Sequence, residues 1–317
     1  MKKVAVVGAG HWGRHVVRVF HETGALAAVV EASASIREQL AAEYPRLAIT
    51  DSYAWILSSD IDAVIIATPV ATHYRLAREA LEHGKDVFVE KPMTVSAAEA
   101  EELQELALRQ GRVLMVGHLL LYQSAIQWIK EYVASGELGE LHSVHQRRIQ
   151  LGRVRSTENV LWSLGVHDLA VLLYLVGEQP VEIRGTGQRI LQSHVEDDVY
   201  VHLAFRRGVH AHLHVSWLWP KQERQTIVVG SRGMLEYREL EQTVILHRKT
   251  ALESLTFRDD GSEVVFQGDH QPLRAEAEHF LHCLETRRTP RSDGRNGVEV
   301  IRILEQATQM MKEGYGR

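Results

Sequence analysis

Cysteine is almost absent from this chain. Cys283 is the sole one, so no intrachain disulfide can form, which fits a reducing compartment such as the cytoplasm. Long apolar runs are missing as well. None approaches the ~20 residues that a membrane-spanning helix needs, so no membrane association is expected. The apolar stretch after Met1-Lys2-Lys3 breaks at Gly8 and no small-residue cleavage site follows, so it does not read as a secretory leader. Positive charge is not in excess: 36 Lys and Arg stand against 41 Asp and Glu, a net charge of −5, and this excludes the broad basic surface of a nucleic-acid binder. There is no internal repeat and no low-complexity segment. What remains is a globular composition, 45 % hydrophobic and 24 % charged, in 317 residues. That length exceeds what one hydrophobic core usually serves, so two domains are expected.

The stretch around which the N-terminal part is organised is Lys3-Val4-Ala5-Val6-Val7-Gly8-Ala9-Gly10-His11-Trp12-Gly13. An apolar strand ends in glycines spaced G-x-G-x-x-G, and the apolar residues Val16, Val17, Val19 and Phe20 then recur at helical spacing. In such a strand–turn–helix Gly8 permits the tight turn, Gly10 lets the backbone approach a pyrophosphate, and Gly13 lets helix and strand pack closely. The phosphates sit at a helix N-terminus, whose free N–H groups and dipole favour anions. Three glycines alone are a weak signal. Here a second apolar strand, Leu26 to Val30, ends at Glu31, about 20 residues on, where an acid binds the ribose hydroxyls of NAD and repels a 2′-phosphate. NAD is therefore expected over NADP.

The alternation continues with helices over 35–44, 72–83 and 96–110 and strands over 47–50, 61–67, 86–90 and 112–117. Ser96 with Glu99 forms a capping box at the start of the last helix. This is the doubly wound α/β pattern, in which ligands bind at the carboxyl ends of the strands. Thr68, Pro69, Glu90, Lys91 and Pro92 stand at such ends. From Leu121 the pattern changes to a helix over 121–135 and strands over 141–150, 181–192, 199–205, 209–217, 225–229, 234–239 and 243–247. Turn residues such as Arg207-Gly208 and Ser231-Arg232-Gly233 indicate antiparallel hairpins. One helix, 166–176, interrupts them, and helices over 273–286 and 296–312 close the chain. The expectation is a doubly wound dinucleotide-binding α/β domain over 1–118 and an α+β domain with a largely antiparallel sheet over 119–317, its C-terminal helix returning to the first domain.

Glu90-Lys91-Pro92 is the sharpest local signal after the glycines. A lysine at a strand end beside a cofactor can hydrogen-bond a substrate hydroxyl and stabilise developing oxyanion charge, and proline fixes the backbone after it, a setting that suits a cis peptide. An isolated Glu-Lys-Pro would be an ordinary solvated turn; its place in the sheet argues otherwise. Ser163-Leu164-Gly165-Val166-His167-Asp168 is the second signal, because a histidine there can take up a hydroxyl proton. With 18 histidines in the chain, any one of them carries little weight by itself. His210, His212 and His214 share a strand face, but one strand rarely supplies zinc's tetrahedral geometry, so no metal is expected. Arg147, Arg148, Arg153 and Arg155 make a local cationic patch. Its two readings, a diphosphate or carboxylate clamp and a solvated strand and loop, are evenly matched. Trp162 lies beside the second signal.

At this point the chain resembles the Gfo/Idh/MocA oxidoreductase family over essentially its whole length. The residues that carry the resemblance are Gly8-Ala9-Gly10-His11-Trp12-Gly13, Ala67-Thr68-Pro69 with His73, Glu90-Lys91-Pro92, and the helix start at His167-Asp168. Resemblance implies a Rossmann domain, a second domain with an open antiparallel sheet, and NAD(P)-dependent oxidation or reduction of a sugar or cyclitol hydroxyl, with Lys91 and His167 as the catalytic pair. It implies Gly8, Gly10, His11, Trp12, Gly13, Glu31, Thr68, Pro69, His73, Glu90 and Lys91 around the cofactor. It also implies homodimers or homotetramers built by packing the sheets. Many members carry an aspartate four residues before the histidine; Ser163 stands there instead, which puts a relay through that acid in doubt. Asp168 is no evident substitute, since adjacent helical residues do not face each other. Gly117-His118-Leu119-Leu120-Leu121-Tyr122, Asn159-Val160-Leu161-Trp162-Ser163 and Pro272-Leu273-Arg274-Ala275-Glu276 are similar to the branch acting on nucleotide-linked amino sugars.

That likeness implies oxidation of the C3 hydroxyl of UDP-N-acetylglucosamine. The 3-keto product would pass to an aminotransferase that makes 3-amino sugars for lipid A or surface glycans. Tyr122, Arg147, Arg153, Arg155, Trp162, Ser163 and Asp168 are the substrate-binding residues under this reading. Oxidation of UDP-N-acetylglucosaminuronic acid, an NADPH-dependent 3-ketosugar reductase, and a non-catalytic NAD(H) sensor remain as alternatives.

Overall fold

The computed structural model describes residues 2–252, 254–268 and 271–314. By its contacts the chain divides into two compact units, one comprising 1–119 and 273–301, the other 120–272 and 302–317. The chain thus returns to the first unit late: the first crossing follows residue 119, and the helix expected over 273–286, placed in the second domain from the sequence, belongs with the dinucleotide fold.

In the first unit the elements run β1 (Val4–Val7), α1 (Gly13–Glu22), β2 (Leu26–Val30), α2 (Ala34–Glu43), β3 (Ala48–Thr50), α3 (Tyr53–Ser58), β4 (Ala63–Ile66), α4 (His73–Glu82), β5 (Asp86–Glu90), α5 (Ala97–Arg109) and β6 (Leu114–Gly117). All six strands are parallel, in the order β3-β2-β1-β4-β5-β6. β1, β4, β5 and β6 are buried at every position, as continuous apolar strands covered on both faces must be. Phe20 of α1 and Phe88 of β5 meet Phe280 edge to face, with centroids 5.6–6.4 Å apart, which fastens the late segment to the sheet. The short α3 was not expected; Ser52 caps it by accepting from the Trp55 N–H.

The second unit contains α6 (Ser124–Ala134), β7 (Leu141–Ile149), α7 (Val166–Val176), β8 (Pro180–Gln188), β9 (Asp198–Phe205), β10 (His210–Ser216), β11 (Glu223–Gly230), β12 (Gly233–Arg238), β13 (Thr243–Ala251) and β14 (Phe257–Gln267). Two helices follow, α8 (Pro272–Thr286) and α9 (Gly294–Gly314), the latter shared between the units. The eight strands form one sheet, β14-β13-β12-β11-β7-β10-β9-β8, antiparallel throughout except for the parallel pair β7–β10. The hairpins expected at Arg207-Gly208 and Ser231-Arg232-Gly233 are present. A π turn, Leu161–Gly165, leads into α7, which Gly177 ends in the left-handed region at φ +78°.

Candidate active site

Gly8 sits at φ +93°, a conformation that an L side chain rarely adopts. A Cβ at Gly13 would collide with the Gly8 carbonyl oxygen, so glycine is required where α1 crosses the end of β1. At Gly10 a Cβ would meet open space, so the protein itself does not need glycine there. A ligand approaching the backbone does.

Gly8, Gly10, His11, Trp12, Glu31, Thr68 and Pro69 line one cleft of about 480 Å³ at the carboxyl ends of β1, β2 and β4. Seven expected cofactor residues are therefore brought together. Glu31 turns its carboxylate back to the glycine turn: Oε2 accepts from the Ala9 N–H at 2.7 Å and Oε1 from the Ser33 N–H at 2.8 Å. A carboxylate has about four acceptor sites, so ribose hydroxyls can still bind it while a 2′-phosphate is repelled. Asp51 and Tyr53 complete the wall, and the Tyr53 hydroxyl donates to the Leu76 carbonyl at 2.7 Å. Arg37 is held away from a phosphate role, because its guanidinium donates to the carbonyls of Glu31 and Ala32 and pairs with Asp51 at 3.3 Å. None of these three was singled out in the sequence; only their position after β2 and β3 marks them.

His73 has a different part from the one expected. Its ring lies buried between two main-chain carbonyls, Nδ1 2.9 Å from Pro92 and Nε2 2.8 Å from Thr68. It braces the turn after β4 against the turn after β5. Burial, opposed by those two carbonyls, lowers its pKa, so the neutral ring donates to one of them at a time.

At the end of β5 the Lys91–Pro92 peptide is cis. Lys91 is half-buried, and Glu90 before it is buried. Glu90 Oε1 accepts from Trp12 Nε1 at 2.6 Å, tying the glycine loop to this strand end. Burial pushes the Glu90 carboxyl up to about 7, against the Trp12 hydrogen bond and the Lys91 charge. Behind it lies Glu276 of α8, 1 % exposed, with no hydrogen-bond partner among the described residues. Burial and then the Glu90 charge raise its pKa well above its ordinary value, which favours the protonated form.

In the second unit His167 opens α7 and is half-buried, as are Trp162 and Ser163; Tyr122 is buried. Trp162 Nε1 donates to Thr308 Oγ1 at 3.0 Å. Asp168 requires a correction. It is fully buried and accepts from Arg148 Nε at 2.8 Å and Nη2 at 3.1 Å, while Arg148 also pairs with Glu239 at 2.7 Å. Its carboxylate is consumed inside the fold and does not face a ligand. Arg147 requires another. Successive strand residues point to opposite faces, and Arg148 faces α7. Arg147 therefore lies on the other face, paired with Glu223 at 3.1 Å, away from the helix that carries His167. Arg153 and Arg155 stay on the loop before α7, Arg153 exposed and Arg155 within 3.6 Å of Glu158. The open face also carries His202 and His212, whose Nδ1 atoms are 2.7 Å apart, and His145 stacked on His212 at 4.8 Å. No group of three or more ligating side chains among the described residues is arranged to hold a metal. No helix among them is long and apolar enough to cross a membrane.

Comparison with known proteins accords with this geometry. Residues 2–118 match the model of an oxidoreductase family with an NAD-binding Rossmann fold, and residues 126–236 match the GFO/IDH/MocA C-terminal domain. The chain is 27 % identical over 300 residues to UDP-N-acetylglucosamine 3-dehydrogenase of Acidithiobacillus ferrooxidans, covering 94 % of each chain. A solved structure of that enzyme superposes with a TM-score of 0.86 over 98 % of both chains. Scyllo-inositol 2-dehydrogenase (NAD(+)) of Bacillus subtilis is 25 % identical over 256 residues, 76 % of this chain and 72 % of that one. An oxidoreductase of Agrobacterium radiobacter, solved in complex with NAD+, L-tartaric acid and magnesium, shares the fold at 17 % identity, with a TM-score of 0.85 over 99 % of this chain and 97 % of that one. The first unit is an NAD-binding Rossmann domain, and the chain belongs to the Gfo/Idh/MocA oxidoreductase family.

Proposed function

We propose that the protein oxidises the C3 hydroxyl of UDP-N-acetylglucosamine, passing hydride from C3 to NAD+ and releasing one proton, to give the 3-keto sugar nucleotide and NADH. The observation that carries this reading is a cleft built for NAD in the unit that also presents Lys91 at the end of β5. Likeness over 94 % of both chains to a dehydrogenase of that specificity supports the choice of substrate. Lys91 polarises the hydroxyl and stabilises the developing oxyanion. His167 takes the proton as the general base. Tyr122, Trp162 and Ser163 line the sugar pocket, and Arg153 and Arg155 hold the diphosphate through charge-assisted hydrogen bonds. NAD, not NADP, is the oxidant, because Glu31 repels a 2′-phosphate. The same reading carries a homo-oligomer and an aminotransferase acting on the 3-keto product.

The test is to mix enzyme, NAD+ and UDP-N-acetylglucosamine and follow NADH absorbance, with an aminotransferase drawing the product off. The panel includes UDP-N-acetylglucosaminuronic acid, myo-inositol and scyllo-inositol. Turnover of UDP-N-acetylglucosamine is expected to exceed that of the others. Turnover of the uronic acid or an inositol alone replaces the substrate, and tight NADH binding without turnover of any of them leaves a sensor.

A further inference from the structure

Glu90 and Gly117 are register partners in the parallel pair β5–β6. The next residues, Lys91 and His118, therefore leave adjacent strands side by side, where neighbouring backbones run roughly 4.8 Å apart. His118 is 1 % exposed, and among the described residues neither ring nitrogen has a hydrogen-bond partner. Burial first, and the Lys91 charge second, press its pKa down to about 3, so the imidazole is neutral across the working range. A neutral imidazole offers one donor and one acceptor. Leaving both unmet destabilises the fold, whereas an apolar ring would fill the same space without that cost. After burial, the charge of Lys91 is what lowers the His118 pKa.

We propose that His118 is a positioning residue for Lys91: its neutral imidazole accepts a hydrogen bond from the Lys91 ammonium and so sets the orientation and proton affinity of that amine. The lysine stem is flexible and its head has three donors, so Lys91 can donate to His118 alongside its other interactions. The bond stabilises the charged form of the amine, which is the form that polarises a hydroxyl. Glu90, from β5, acts on Lys91 in the same direction, with Glu276 of α8 behind it. His118 from β6 supplies the uncharged partner. This deepens the assignment of Lys91 made above and rests on it for its catalytic meaning, though not for its test.

The test is pulse acylation of the full-length protein with acetic anhydride between pH 7 and 11, with Lys91 labelling read by peptide mass spectrometry and Lys221 as the internal control. In His118→Phe the Lys91 midpoint is expected to fall by about one pH unit, a roughly tenfold gain in free amine at fixed pH. In His118→Asn, which keeps an amide acceptor, most of the shift is expected to be reversed. Should His118→Phe fail to fold, His118→Leu serves as the acceptor-free variant. With whichever substrate the wild type oxidises, the pH–rate profile moves in the same sense and the NADH dissociation constant changes less than about twofold. An unmoved Lys91 midpoint in a folded acceptor-free variant overturns the proposal. A moved midpoint in an enzyme inactive on UDP-N-acetylglucosamine overturns the functional reading and leaves this one standing.

Discussion

Replacing Glu276 by glutamine is expected to stabilise this protein, by an amount that grows with pH. Both carboxyl oxygens of Glu276 are buried without a hydrogen-bond partner among the described residues, and Glu90 lies nearby, its own carboxyl also pushed up to about 7. In the unfolded chain both acids titrate near 4.5. The folded state therefore keeps protons that the unfolded state releases. An acid whose pKa rises on folding costs nothing below its unfolded value. Above it, the acid subtracts about 1.4 kcal/mol per pH unit until the folded value is reached. For Glu90 that interval runs from 4.5 to about 7, or about 3 kcal/mol in all. Glu276, raised in the same direction, adds to that pH dependence. Glutamine is a neutral amide of nearly the same shape, so Glu276→Gln removes that contribution with little change in packing volume. Relative to wild type, the variant should gain stability as pH rises above 5, by up to about 1.4 kcal/mol per pH unit until the folded-state titration of Glu276 is reached, with both proteins compared by urea unfolding. Parallel pH dependences in the two proteins would refute the buried-proton assignment. So would a variant that is less stable than wild type at pH 6.5.

Lys91→Ala should lower kcat by roughly 10²–10³ with little change in NADH affinity, since it removes charge stabilisation from the reacting oxygen; stopped-flow hydride transfer and NADH fluorescence titration separate the two effects. Glu31→Ala should narrow the preference for NAD+ over NADP+ in kcat/KM by about tenfold or more, and an unchanged ratio would sink the role given to that carboxylate. Asp168→Ala should cost about 3 kcal/mol in urea unfolding by leaving Arg148 only partly paired in a buried site, and any loss of activity should follow the loss of folded protein.

Those outcomes divide along the line between what the chain displays locally and what it displays only once folded. The glycine turn and Glu31 were legible because neighbours in sequence become neighbours in space: strand, turn, helix and the next strand end all lie within 31 residues. Lys91 was legible for a similar reason, as a residue at the end of a buried strand. The strand over 257–267 was not, because Arg258, Asp259, Asp260 and Gly261 read as a turn; it exists as an edge strand laid against β13, where polar residues are tolerated and useful. Asp168 misled for the opposite reason. Its neighbour in sequence, His167, suggested a site, but its partner in space, Arg148, is 20 residues away on β7. Arg147 and Arg148 looked like one patch, and the two-residue period of the strand sends them to opposite faces. Glu276 and His118 were legible only as members of stretches that carry a family likeness, with no role of their own, because no pattern of residue types announces a buried acid or a buried imidazole that lacks a partner among the described residues. Such positions work against the fold that holds them, and both lie in the unit that carries Lys91. Ordinary core packing would replace them with apolar side chains. Their unmet hydrogen-bonding capacity among the described residues supports the proposal that the chemistry lies at the end of β5, and it does so without depending on any relative.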